Sequence, residues 1–173
     1  MSDQSIIYRY SLHLVDQGCS VDEAVDLVVA KHPSETEEHC LMRLLAWGLF
    51  WQPGIRMAGS VCQGDEPDLQ VEQHGIIVGI NNQKRIRKAA VRHPRLTCLE
   101  WRPRFIRSAS ELCQRINRDG ATATIIGVEG ELNGLLASVQ RRNNWMLELT
   151  DHDFVVDTGK NKFEFSTQTL CRL

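Results

Sequence analysis

A chain of 173 residues, 42% hydrophobic and 24% charged, is long enough to enclose a proper core. The absence of repeats or low-complexity tracts excludes solenoid and disordered classes. Its net charge of −2 is near neutral but unevenly spread: residues 1–76 hold 12 acids against four bases, whereas residues 84–107 hold nine bases against Glu100 alone.

The longest apolar run, Leu44 to Trp51, is too short to cross a bilayer, and the N-terminus, with Asp3, lacks the basic and apolar pattern of a secretory signal. Six cysteines, at 19, 40, 62, 98, 113 and 171, form no Cys-x-x-Cys pair and no zinc spacing. The expectation is one cytoplasmic domain over residues 1–173, with reduced, buried thiols.

In chain order, Ile6, Tyr8, Tyr10, Leu12 and Leu14 alternate with more polar residues and predict a half-buried strand. Gly18-Cys19-Ser20 predicts a turn, and Ala24 to Ala30 reads as the return strand of a hairpin, with a short helix starting near Ser20 as the alternative. Pro33 then marks a helix start, with Ser34 as N-cap and Glu37 completing a capping box. Leu41, Leu44, Leu45, Gly48 and Leu49 supply its core stripe, and Pro53-Gly54 ends it. Strands follow at Ile55 to Ala58, Asp68 to Glu72 and Gly75 to Ile80, the last two pairing as a hairpin around Gln73-His74.

Asn81-Asn82 leads into a basic helix from Gln83 to Arg92, closed by Pro94. Further on, Leu96 to Trp101 reads as a strand, Ser110 to Asn117 as a helix, Ala121 to Val128 as a strand and Glu129 to Val139 as a helix. Trp145 to Leu149, Phe154 to Asp157 and Phe163 to Ser166 complete a β meander. The fold class predicted is α/β, a mixed sheet with helices on its faces.

Two stretches carry a resemblance. His32-Pro33-Ser34-Glu35-Thr36-Glu37-Glu38 is one; Asp65-Glu66-Pro67-Asp68-Leu69, a hairpin, and Gln83-Lys84-Arg85-Ile86-Arg87-Lys88-Ala89 make up the other. Over residues 31–90 the chain resembles the YaeQ family of bacterial proteins. That resemblance implies a PD-(D/E)xK, restriction-endonuclease-like core. Such enzymes hold magnesium between an Asp on one hairpin strand and an acid on the next, with a Lys two residues further on. The metal stabilises charge on the scissile phosphate and activates the attacking water.

Pro67-Asp68 looks like the first half of that constellation. The second half is absent, because the strand acid falls at Ile77 and the lysine at Gly79. Glu38 shares a helix face with residues 41, 42, 45 and 49, from which it would reach Asp68, and Lys84 would supply a displaced amine. The resemblance therefore implies no catalytic residues, no required cofactor and at most weak magnesium binding by Asp68 and Glu38.

Simpler roles stand beside these. Acids at 35, 37 and 38 complement a helix macrodipole, Asp65-Glu66-Pro67-Asp68 suits a turn, and a basic helix face suits solvent. The leading expectation is a non-catalytic, regulatory protein that binds nucleic acid or a protein of the transcription machinery through Lys84, Arg85, Lys88 and Arg92. A weak magnesium-dependent nuclease or phosphodiesterase is the second reading, and a protein-interaction module with no nucleic-acid role is the third.

Overall fold

The computed structural model describes residues 4–59, 66–118 and 123–171, which leaves Asp3, Cys62 and Asp65 outside the described residues. The elements run β1 (Ile6–Asp16), β2 (Val21–Lys31), α1 (Glu37–Leu49), β3 (Arg56–Met57), β4 (Leu69–Val71), β5 (His74–Val78), α2 (Gln83–Arg92), β6 (Arg95–Glu100), α3 (Pro103–Ile106), α4 (Ala109–Arg118), β7 (Thr124–Gly130), α5 (Leu132–Ala137), β8 (Arg142–Leu149), β9 (Asp153–Asp157) and β10 (Lys162–Cys171). This is the expected mixed α/β class. The chain packs as two compact units, one of residues 1–44 with 129–166 and the other of residues 45–128 with 167–173. Among the described residues no helix is long and apolar enough to cross a membrane.

The first unit is built on the β1–β2 hairpin, antiparallel from Ile6↔Lys31 to Asp16↔Val21. The alternation read from the sequence holds, with Tyr8, Tyr10, Leu12 and Leu14 all buried. β8 adds to β1 in parallel, and β9 and β10 follow as antiparallel neighbours, which gives the order β2-β1-β8-β9-β10. Helix α5 is shorter than the segment 129–139 predicted as helical, because β7 runs on to Gly130. A Cβ at Gly130 would collide with the Glu164 carbonyl oxygen and the Phe165 ring, so strand backbone is packed closely there.

Helix α1 departs from its predicted start. The side chain of Ser34 bonds His32 Nδ1 (2.7 Å), and Thr36 Oγ1 accepts from the His39 N–H (3.1 Å), so Thr36 is the cap. Glu37 closes no capping box: it accepts from the Tyr8 hydroxyl (2.8 Å) and pairs with Lys31 (3.4 Å). Residues 40–48 are buried on every side instead of along one stripe, and Arg43 is among them at 1% exposure.

The second unit has a parallel β5-β6-β7 centre in which His74↔Arg95 and Thr97↔Thr124 fix the register. β4 and β3 extend it antiparallel beyond β5. Helices α2 and α4 cover one face. Ile86, Ala89 and Ala90 from the first and Ala109, Leu112, Cys113 and Ile116 from the second share a core with Ile77, Leu96, Cys98 and Ile125. That arrangement follows from two β-α-β crossovers of the same hand. The four-residue α3, opened by Pro103, has no counterpart among the predicted elements.

The thiol expectation needs a correction. Cys113 and Cys171 are joined as a disulfide, with Cα atoms 6.5 Å apart and a separation of 58 positions in sequence. Cys19, Cys40 and Cys98 are free. Denatured without reductant, the chain should therefore show two fewer reactive thiols than the six it shows once reduced. A thiol titration giving six in both conditions would remove the bond from the native fold.

Candidate functional site

The hairpin at the centre of the motif turns one residue earlier than predicted. Glu72, at φ 51°, and Gln73 make the turn, so His74 enters β5. There its Nε2 lies 2.9 Å from Thr97 Oγ1 and its ring stands edge-on to Phe50. Burial, with the charges of Arg95 and His93, pushes the His74 imidazole down to about 4.

Pairing of Leu69 with Ile76 brings Asp68, one residue earlier, across from Ile77. The two positions matched to the carboxylate pair are therefore neighbours. Asp68 is 1% exposed, and each of its oxygens accepts a hydrogen bond. Its Oδ2 accepts from the Val78 N–H at 2.8 Å and its Oδ1 from Arg85 Nη2 at 3.1 Å. Arg85 also donates to the Glu66 carbonyl at 2.7 Å. Its position is set by the cap of α2, where Asn82 Oδ1 accepts from the Arg85 N–H at 3.0 Å. The cation beside Asp68 is thus the guanidinium of Arg85, while Lys84 is exposed. Ile77 is 1% exposed within the apolar core. Gly79 adopts φ +83°, a backbone conformation in which any other side chain is strained whatever the space around it.

Glu100 is a second buried carboxylate, missed in the sequence although it stands alone among nine bases. Its Oε2 accepts from the Ile80 N–H (2.9 Å). Its Oε1 accepts from the N–H groups of Trp101 (3.0 Å) and Arg102 (2.9 Å) and from Arg102 Nε (2.7 Å). Arg102 then stacks over Trp101 and Phe105, 4.6 and 4.4 Å from the ring centroids. Two carboxylate–guanidinium pairs therefore brace the end of β5, one at Val78 and one at Ile80. Burial first, and then the Asp68 charge, pushes the Cys98 thiol between these layers up to about 12.

Among the described residues, no group of three or more His, Cys, Asp or Glu side chains is placed to hold a metal. Glu38 is half-buried on α1 in the first unit. The buried acid of that segment is Glu35, taken up by Arg43 and His39.

Helix α2 sorts its residues by face. Ile86, Ala89 and Ala90 are buried, whereas Lys84, Arg87, Lys88 and Arg92 are exposed, with Val91 among them at 79% exposure. No acid occurs anywhere in the helix. α4 packs on the same core, and its exposed Arg115 donates to Gln83 Oε1 of α2 at 3.4 Å. Of the four residues predicted to contact a polyanion, three face solvent and Arg85 is turned to Asp68.

The family model described as YaeQ protein matches residues 1–167. The chain belongs to the YaeQ family. Its curated relatives include the uncharacterized protein YaeQ of Escherichia coli K12, 30% identical over 95 residues, or 51% of this chain and 52% of that one. The Shigella flexneri YaeQ matches to the same extent. The chain thus spans about half the length of the curated relatives it matches. Two solved YaeQ structures share the fold. The protein from Pseudomonas syringae matches at TM-score 0.83 and 23% identity, covering 98% of this chain and 97% of that one. The protein from Xanthomonas axonopodis pv. citri matches at TM-score 0.80 and 20% identity, covering 96% and 98%.

Proposed function

We propose that this YaeQ-family chain is a non-catalytic, regulatory nucleic-acid-binding protein on a PD-(D/E)xK-type core whose metal site has been replaced by an internal ion pair. The observation that carries the reading is the division of labour on α2. Arg85 turns inward to neutralise Asp68, while Lys84, Arg87, Lys88 and Arg92 face solvent with no acid in the helix. A guanidinium beside Asp68 supplies the positive charge that magnesium would supply, but offers no open coordination position for an attacking water. This disfavours a nuclease using Asp68 and Glu38. The outward bases suit the sequence-independent attraction of phosphates.

The test is fluorescence anisotropy of labelled DNA and RNA, duplex and single-stranded, across a salt series. Phosphate contacts predict that log affinity falls linearly with log salt, by about 0.9 for each duplex phosphate neutralised. Lys84→Glu combined with Lys88→Glu should weaken binding at least about tenfold and flatten the slope. Absence of binding at low salt would retire the reading. One observation favours a second reading: Val91, apolar and 79% exposed amid the bases, is suited to anchoring an acidic protein, such as one of the transcription machinery.

A further inference from the structure

The parallel strands β5 and β6 end side by side, with Val78 paired to Leu99 and the Gly79 N–H donating to the Leu99 carbonyl at 2.7 Å. In open α/β sheets, ligands gather outside such carboxyl ends. Two connections leave from there, residues 79–82 into α2 and residues 101–108 through α3 into α4. They touch, because Arg102 Nη2 lies 3.5 Å from Asn81 Oδ1.

The second connection is fixed from inside. Glu100 accepts from the N–H groups of Trp101 and Arg102, and the N–H groups of Phe105 and Ile106 return to the Arg102 carbonyl at 2.9 and 3.1 Å. Phe105 packs against the core that α2 and α4 cover. Its ring carries two guanidiniums, those of Arg102 and Arg104, each 4.4 Å from the centroid. They differ in what else they do. Arg102 is engaged by Glu100 through Nε at 2.7 Å and Nη2 at 2.8 Å. Arg104 is exposed, and among the described residues its side chain makes no hydrogen bond and no ion pair. Arg107 is exposed too and has no acidic partner among the described residues.

An arginine offers an unpaired nucleotide two contacts at once. Its plane stacks on a base, and its N–H edge donates to a phosphate oxygen. Resting on Phe105, the Arg104 guanidinium is oriented in advance, which lowers the ordering cost of binding. A base inside a duplex is covered on both faces by its neighbours, whereas a base of a single strand is free to extend the stack.

We propose that the exposed Arg104–Phe105 stack, with Arg107 beside it, binds an unpaired base and its flanking phosphates, so that the strand it takes is single. This deepens the nucleic-acid reading and rests on nucleic-acid binding itself: α2 supplies phosphate contacts and the connection after β6 supplies a base contact.

The experiment uses the full chain and anisotropy with labelled probes of equal length. They are an oligothymidine strand, the same strand with abasic central positions, a duplex, and an oligouridine strand. Stacking of one base predicts binding of the intact strand at least about fivefold tighter than of the abasic one. Arg104→Ala should abolish that preference. Arg104→Lys, which keeps the charge without the plane, should abolish it too while binding the duplex as the parent chain does. Arg104 is exposed, so neither change disturbs the core. Either sugar supports the inference, and the tighter of oligothymidine and oligouridine identifies the strand as DNA or RNA.

The inference is overturned if intact and abasic strands bind alike, or if the preference survives in Arg104→Ala. Binding that depends on Lys84 and Lys88 would then leave the basic-helix reading in place. Conversely, a base preference lost in Arg104→Ala but untouched by Lys84→Glu with Lys88→Glu upholds the stack and retires the basic helix. Absence of binding by every probe at low salt overturns both.

Discussion

Replacing Arg43 with alanine is expected to destabilise the fold by about 3–5 kcal/mol, the range for breaking one partner of a buried pair. Arg43 and Glu35 have side chains 1% and 0% exposed, so water cannot take over either charge. Arg43 Nε and Nη2 donate to the two Glu35 oxygens at 2.8 and 3.0 Å, and Nη2 donates also to the Ala30 carbonyl at 2.8 Å. Glu35 is approached further by His39 Nδ1 at 2.6 Å and by the His32 N–H at 3.3 Å. Truncation of Arg43 leaves that carboxylate buried with too few donors and frees the link between the end of β2 and α1.

Replacing both residues with methionine should cost much less than the single change, because no charge is stranded. Urea denaturation of the two single variants and the double variant measures this directly. Additive losses would show that the pair acts through packing alone.

The pH dependence has a definite sign. Burial by itself would raise the Glu35 carboxyl above its ordinary 4.5, but the hydrogen bonds and charges of His39 and Arg43 outweigh it and hold it lower. A depressed carboxyl contributes stability above 4.5 that is lost as pH falls through the folded value. The acid limb of the stability curve should be steeper in the parent chain than in Arg43→Ala.

The second large effect is expected at Asp68. Asp68→Ala removes the acceptor for the Val78 N–H and strands Arg85, whose side chain is only 15% exposed. A loss of about 3 kcal/mol is expected. The sign discriminates between roles. A carboxylate kept for an ion is a stability liability, and its removal commonly stabilises a protein. A carboxylate kept for Arg85 stabilises the fold. Denaturation of the variant with and without millimolar magnesium decides: a more stable variant, together with magnesium protection of the parent, would assign Asp68 to metal.

Elements with a strong local pattern are legible in the sequence. The alternation of Tyr8, Tyr10, Leu12 and Leu14 identifies β1, and Asn82 and Pro94 bound α2 at Gln83 and Arg92. The family, too, is legible, because the segments that carry it are contiguous. Less visible is competition between equivalent local signals. Ser34 and Thr36 are both good caps, and the bond from Ser34 to His32 leaves Thr36 to cap α1.

Composition, periodicity and capping chemistry therefore determined the class of fold, most of its elements and the basic character of α2. The tertiary structure decided which charges belong to solvent and which to the interior. Arg85 and Lys84 are adjacent in sequence, yet one meets Asp68 across 17 residues and the other faces water. Glu100 reaches the Ile80 N–H across 20 residues, and Cys113 meets Cys171 across 58. Residues in a single turn or strand interact at distances that the backbone geometry dictates. Partners this far apart meet only where strand register and helix placement bring them together, and neither is written in any one segment.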